Sequence, residues 1–168
     1  MRRTFGRLWI VAACVAIAPA LMTTPVSGVE DDVLHSEFLF DLVLEKGPAS
    51  DVGAQGTKKV IVVVTGGSFE GPRLKGTIVG PSGDWIAARP DGSSTLDLRA
   101  LLQTDDGQKI SMTCRGLAYT QPDGMLYARI LPLFETGAAK YAWLNNVVAV
   151  GVYRPTSGKV AYRVYRIL

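Results

Sequence analysis

The sequence contains few of the residues from which common nucleophilic and metal-dependent sites are built. It has one histidine, His35, and two cysteines, Cys14 and Cys114. A Ser-His-Asp triad, a Cys-His pair or a His-rich metal site would each need that single imidazole. His35 stands at the start of the first predicted strand, where a structural role is the simpler interpretation. We therefore expect no metal and no cofactor.

Clustered positive charge is also scarce. The net charge of +3 comes from 18 basic and 15 acidic residues. Arg2, Arg3 and Arg7 account for all of this excess, and the charges balance beyond residue 28. A protein that follows a phosphate backbone needs a basic stripe, which this sequence does not provide. The sequence thus predicts no nucleic-acid partner.

The amino-terminal segment has the layout of a secretory signal peptide. A basic head over residues 1–7 precedes an apolar run over residues 8–22 and a polar stretch. The apolar run is shorter than the roughly 20 residues that a membrane-spanning helix needs. We therefore expect a periplasmic or secreted protein with no stable membrane insertion after cleavage.

The cleavage site sets the boundary of the expected domain. Small residues favour cleavage after Gly28, which leaves one domain over residues 29–168, and a cut after Ala20 is the alternative. A lipobox-like sequence ending at Cys14 leaves a lipoprotein open. If Cys14 departs with the signal, Cys114 has no partner for an internal disulfide.

Beyond the signal segment the chain is patterned as short strands. Asp-Gly pairs at 91–92, 106–107 and 123–124 supply the positive-φ positions that tight hairpins require. Residues 47–58 are predicted to be an irregular loop, and one short helical turn is expected near 138–144. The spacing predicts an all-β fold, a single antiparallel barrel of about eight to nine strands. The predicted strands are His35–Glu45, Lys59–Val64, Leu74–Val79, Asp84–Arg89, Thr95–Thr104, Lys109–Tyr119, Met125–Leu131, Asn146–Tyr153 and Val160–Ile167.

Strand parity places several polar residues together. Asp97 and Arg99 share one face of their strand, and a paired arginine is a fixed fork that could clamp a carboxylate or phenolate. Tyr127 and Arg129 form a similar pair. The simpler interpretation of such pairs is an exposed ion pair that contributes little to stability. Parity also leaves open which face of each strand is buried.

Seven motifs in order carry a resemblance to a known family. They are residues 65–74 (TGGSFEGPRL), 83–85 (GDW), 89–92 (RPDG), 96–99 (LDLR), 104–107 (TDDG), 132–136 (PLFET) and 141–145 (YAWLN). Together they resemble the DUF3237 family, also called UPF0311, over about residues 38–165. The family often has a longer insertion before the segment corresponding to 127–129, and it often lacks a signal peptide.

This resemblance implies a small antiparallel barrel of the calycin or allene-oxide-cyclase type. It also implies that some members are cofactor-independent lyases, decarboxylases or cyclases acting on phenolic small molecules. On that basis the predicted catalytic residues are Asp97, Arg99 and Tyr141. The predicted substrate contacts are Glu70, Trp85, Tyr127, Arg129, Trp143 and Asn145.

Two functions of different classes therefore stand side by side. The first is an exported enzyme, a lyase or isomerase acting on an aromatic molecule inside the barrel. The second is a lipocalin-like carrier of a small hydrophobic or aromatic ligand, without catalysis. Asp97, Arg99 and Tyr141 converging in one cavity would favour the enzyme. A solid envelope barrel is a third interpretation, and a homo-oligomer stays open.

Overall fold

Hydrogen bonding between consecutive strands forms a closed barrel in which every neighbouring pair is antiparallel. The computed structural model describes residues 33–53 and 56–168, and the predicted signal peptide lies outside them. The strands are β1 Ser36–Gly53, β2 Lys58–Glu70, β3 Lys75–Ala88, β4 Ser94–Thr104, β5 Lys109–Thr120, β6 Leu126–Glu135, β7 Ala149–Arg154 and β8 Val160–Ile167. Pairing of β1 with β8 closes the barrel and removes the sheet edges. The predicted barrel is confirmed.

The structure has eight strands where nine are predicted, because two of the predicted strands form one continuous strand, β3. β3 spans both Leu74–Val79 and Asp84–Arg89 almost completely, with a bulge between Val79 and Gly83. The Ser82 hydroxyl closes this bulge: it donates to the Val79 carbonyl at 2.7 Å and accepts from the Leu101 amide at 3.0 Å. Proline and glycine therefore mark a bend within a strand here.

The structure also differs from the prediction over residues 47–58, where an irregular loop is expected. β1 continues to Gly53 and β2 begins at Lys58, so these strands occupy most of that interval. Gly66-Gly67, which resembles a turn, lies within β2. Gly67 has a φ of +136°, and a Cβ there would lie 2.0 Å from the Val43 carbonyl oxygen. Only glycine permits this close approach of β1 and β2.

Alternation along each strand fills the lumen with apolar side chains. On β4 the inward residues are Leu96, Leu98, Ala100, Leu102 and Thr104, all buried, while the residues between them face outward. We call the end of the barrel near the β2–β3 and β4–β5 turns the packed end. There Phe40 lies 5.8 Å from Phe69 and 5.9 Å from Phe134, in edge-to-face contacts.

A 3-10 helix, Ala139–Asn146, lies at the packed end between β6 and β7, where a short helical turn is predicted. It buries Tyr141 and Leu144. Among residues 33–53 and 56–168, no helix is long and apolar enough to cross a membrane. The opposite end, near the β1–β2, β3–β4, β5–β6 and β7–β8 connections, is the hollow end.

Candidate functional site

A cavity lies inside the barrel toward the hollow end. We call it the Asp84 cavity, because Asp84 is the acidic residue in its lining. Its volume is about 60 Å³, whereas pockets for drug-sized ligands measure roughly 300–1,000 Å³. It therefore accommodates a small group and not a complete aromatic ligand. Its apolar lining is Leu44, Val62, Val64, Ile86, Leu96, Leu98, Ile130 and Val160.

The Asp84 carboxyl is positioned by the bulge of β3 and by its neighbour β4. Its Oδ1 accepts a hydrogen bond from the Asp97 backbone amide at 3.1 Å. Burial raises the pKa of Asp84 from 3.8 to about 6, the Asp97 amide opposes this, and the Asp97 charge adds to it. A carboxyl with such a pKa exchanges its proton near neutral pH, as a general acid or base requires.

Three other polar or titratable side chains lie at or near this carboxyl. Tyr162 lines the cavity and is almost fully buried. Burial, followed by the charge of Asp84, raises the pKa of Tyr162, so its phenol stays protonated as a hydrogen-bond donor. Burial likewise raises the pKa of Cys114, which makes this thiol a poor nucleophile. Lys46 also lines the cavity and is an exposed cation on β1.

The predicted catalytic residues do not converge in this cavity. Asp97 and Arg99 lie on the outer face of β4, with Arg99 Nε 3.7 Å from Asp97 Oδ1. Tyr141 lies at the packed end, where its hydroxyl donates to Asp106 Oδ1 at 3.0 Å. The inward positions of β4 belong to its leucines, so parity turns the polar residues outward. The expectation of a joint site inside the barrel therefore differs from the structure.

Among the predicted substrate contacts, the structure brings Trp85 close to Arg99. The Arg99 guanidinium carbon lies 5.6 Å from the centroid of the Trp85 ring, on the outer wall. Tyr127 and Arg129 are adjacent on β6, with the Arg129 guanidinium carbon 4.2 Å from the tyrosine ring. These two pairs are on different strands. The contact of Arg129 with Tyr127 agrees with the predicted same-face pair, whereas the contact of Arg99 with Trp85 was not predicted.

The remaining predicted contacts lie near the packed end. Glu70 is exposed at the end of β2, opposite Lys75. The Arg73 guanidinium carbon lies 3.7 Å from the centroid of Trp143. The Asn145 side chain accepts from the Thr136 amide and donates to the Thr136 carbonyl, which fixes the chain after β6. None of these three residues lines the Asp84 cavity, and their roles in binding stay predictions.

Asp84 was missed, although the sequence holds a signal for it. Asp84 and Ile86 share a face of β3, and Trp85 and Ala87 share the other. Asp84, in the GDW motif, is thus an acidic residue that shares a strand face with an aliphatic side chain. Such a pattern indicates a carboxyl that points into the core. The bulge at 80–82 hides that signal, because its turn-like composition separates Asp84 from the inward-facing Ile78, with which it still shares parity. Within the described residues, no three His, Cys, Asp or Glu side chains cluster to hold a metal ion.

Comparison with known proteins identifies the family. A family model described as "Protein of unknown function (DUF3237)" matches residues 34–167. The chain belongs to the DUF3237 family. A UPF0311 protein of Clostridium acetobutylicum is 30% identical over 118 residues, covering 62% of this chain and 71% of that protein. The resemblance based on the sequence motifs is therefore confirmed.

Two further similarities concern fold and chemistry. A solved β-barrel-like protein from Acinetobacter baumannii AYE has a TM-score of 0.76 and 31% identity, covering 81% of this chain and 97% of that one. A protein of Penicillium herquei named "Hydroalkoxylation enzyme phnH" is 36% identical over 117 residues, covering 68% of this chain and 71% of that protein. One relative of this chain is thus named as an enzyme.

Proposed function

We propose that this DUF3237 protein is a cofactor-independent cyclase that adds a hydroxyl group across a carbon–carbon double bond of a phenolic small molecule. The observation that carries the proposal is the Asp84 carboxyl, with a pKa near 6, in an otherwise largely apolar cavity. The name of the Penicillium herquei relative supports the reaction class.

The proposed reaction is an isomerisation in which atoms and electrons balance. Protonated Asp84 gives its proton to one alkene carbon, and the neighbouring carbon becomes electron-deficient. The substrate hydroxyl oxygen attacks that carbon, forming the C–O bond and closing the ring. The hydroxyl proton then returns to the Asp84 carboxylate, so the acid is regenerated and no oxidant or reductant is consumed.

The cavity supports this step in two ways. Its aliphatic walls exclude water, which would otherwise compete with the hydroxyl for the electron-deficient carbon. Its volume of about 60 Å³ suits an alkenyl arm better than an aromatic ring system. We therefore place the reacting arm in the cavity and the phenolic ring toward the hollow end, and Lys46 is the cation in the lining of the cavity.

The test uses 2-(3-methylbut-2-enyl)phenol as the probe, in D₂O. Ring closure gives 2,2-dimethylchroman with one deuterium at C3, detected by mass spectrometry and NMR. Asp84→Asn, which keeps the side-chain shape, should lower the rate by about 10²–10⁴-fold. Asp97→Asn keeps the backbone amide that donates to Asp84 and is the matched control. An equal rate in wild type and Asp84→Asn, or no deuterium above the enzyme-free reaction, would contradict the proposal.

The carrier function remains the second candidate, because the lining of the cavity is mostly aliphatic. A carrier would bind the same alkenyl phenol without converting it, and Asp84→Asn would keep that binding. A decarboxylase would release carbon dioxide from a carboxylated probe and leave the alkene unchanged. Product analysis with each of the two probes, together with a binding measurement on the alkenyl phenol, therefore separates the three functions.

A further inference from the structure

A second concave region lies on the outer wall of the barrel, across β1 to β5. We call it the outer groove. It measures about 540 Å³, large enough for a complete aromatic ligand. Asp97 and Arg99 in its lining point away from the lumen. The outer groove and the Asp84 cavity thus lie mainly on opposite faces of β2, β3 and β4, and Ile86 is common to both linings.

The floor of the outer groove is apolar and partly open to solvent. Trp85 is 46% exposed and pairs with Ile61 across β2 and β3. Val52, 61% exposed, and Ala87 add to this surface. An indole face that is half exposed on a barrel wall is a stacking platform for a planar ring.

The charges above this floor are mainly positive. Lys59, Arg99 and Arg115 line the outer groove, and Asp97 is the acidic residue among its lining residues. The Arg99 and Arg115 side chains are 64% and 79% exposed. An anion in the groove would therefore meet three cations against one carboxylate, and this charge complementarity points to an anionic occupant.

Both arginines are held loosely by Asp97. Arg99 Nε lies 3.7 Å and Arg115 Nη2 lies 3.6 Å from the Asp97 oxygens, too far for hydrogen bonds. By contrast, Arg163 on the outer face of β8 binds Asp41 with two hydrogen bonds of 2.8 Å. The guanidinium donors of Arg99 and Arg115 are therefore available to a ligand in a way that those of Arg163 are not.

Two arginine–tryptophan pairs of the barrel also differ in how much of the tryptophan ring stays available to a ligand. Arg73 stacks directly on Trp143, with 3.7 Å between guanidinium carbon and ring centroid. Arg99 lies 5.6 Å from the centroid of Trp85 and leaves much of that ring uncovered. The first pair is a completed contact, whereas the second leaves room for a ligand ring beside the guanidinium.

We propose that the outer groove binds a planar aromatic anion, a carboxylate or a phenolate. The ring stacks on Trp85, and the anionic group accepts hydrogen bonds from Arg99 and Arg115. This binding site is separate from the Asp84 cavity and does not depend on proton transfer by Asp84.

The test is a titration of the full chain with 1-naphthoate, followed by isothermal calorimetry and by the indole N–H signal of Trp85. The double variant Arg99→Gln/Arg115→Gln should weaken binding by about tenfold or more, because two charge-assisted hydrogen bonds are lost. Neutral 1-naphthalenemethanol should bind wild type about tenfold more weakly than 1-naphthoate. Arg73→Gln is the matched control, and both it and Asp84→Asn should bind 1-naphthoate like wild type.

Three results would overturn the proposal. The first is unchanged 1-naphthoate binding in Arg99→Gln/Arg115→Gln, provided that circular dichroism shows the same fold. The second is loss of binding in Asp84→Asn, which would place the ligand in the Asp84 cavity. The third is a wild-type dimer that the double variant disrupts and that 1-naphthoate does not affect, which would assign the groove to a second copy of the chain.

Discussion

The two ends of the barrel interior are built from the same strands but packed in opposite ways. At the packed end, Phe40 contacts both Phe69 and Phe134 in the lumen, and the 3-10 helix adds Tyr141 and Leu144. At the hollow end, the lining is mostly valine, leucine and isoleucine, which leave a cavity of about 60 Å³ around Asp84. Aromatic side chains span the lumen, while shorter aliphatic ones leave space at its centre.

This difference separates stability from chemistry along the barrel axis. Burial of aromatic and aliphatic surface at the packed end contributes favourable free energy. The hollow end tolerates a partly desolvated carboxyl that is unfavourable for folding when ionised. The packed end therefore offsets the cost of a functional group at the hollow end.

The largest expected effect comes from comparing two substitutions on β4, one nearer the packed end and one beside the Asp84 cavity. Leu102 and Leu98 are both almost fully buried and point into the lumen from the same face. Leu102→Ala should lower the free energy of unfolding by about 4–5 kcal/mol, because it opens a new cavity in close packing. Leu98→Ala should cost at least about 1 kcal/mol less, because Leu98 already borders empty space.

Urea denaturation of both variants and wild type measures this difference. Equal losses for the two leucines would show that the hollow end is as tightly packed as the packed end.

The next effect is the pH dependence of stability that arises from Asp84 at the hollow end. The pKa of Asp84 is raised from 3.8 to about 6 by folding, so the native state binds its proton more tightly than the unfolded chain does. Stability from this group is fully present below pH 3.8 and is lost as the pH rises toward 6. The wild type should therefore lose up to about 3 kcal/mol relative to Asp84→Asn between pH 3.5 and 7.

Denaturation curves of both proteins across that range give the difference directly, and other titrating groups cancel in the comparison. Parallel curves for wild type and Asp84→Asn would mean that the Asp84 carboxyl has an ordinary pKa and is solvated.

The smallest effect concerns the bulge of β3, which joins the two ends. Ser82→Ala removes a hydroxyl that holds Val79 and Leu101, and it should lower the free energy of unfolding by about 1–2 kcal/mol. Asp84 follows the bulge by two residues, so a shifted bulge also displaces its carboxyl. The activation free energy for turnover of the alkenyl phenol should therefore change by more than the free energy of unfolding does. Ser93→Ala, in the exposed β3–β4 turn, is the control. Loss of stability with unchanged turnover would show that the bulge does not position the Asp84 carboxyl.

Much of the fold was predictable because strands and tight turns are local features. The bounds of β8 were predicted as observed, and those of β4 and β5 within one residue at each end. Asp91-Gly92, Asp106-Gly107 and Asp123-Gly124 each place a glycine at positive φ between two strands, as the turn chemistry requires. The bulge of β3 was interpreted as a turn, since Pro81-Ser82-Gly83 has the composition of both.

The site was less predictable because its residues meet only when the barrel closes. Asp97 and Arg99 were recognised as sharing a face, and they do. Their shared face is the outer one, and the carboxyl in the lumen belongs to Asp84 on the neighbouring strand. Burial of Asp84 comes from residues on β1, β2, β4, β6 and β8, which no local pattern connects.

The sequence by itself determined the class of fold, the order of the strands, and which side chains share a face, because these depend on backbone propensity and a period of two residues. Only the tertiary structure decided which face of each strand is the lumen. That choice is made when all eight strands close together and the aromatic residues of one end fill the space available to them. The same closure leaves the other end hollow and sets the proton affinity of Asp84.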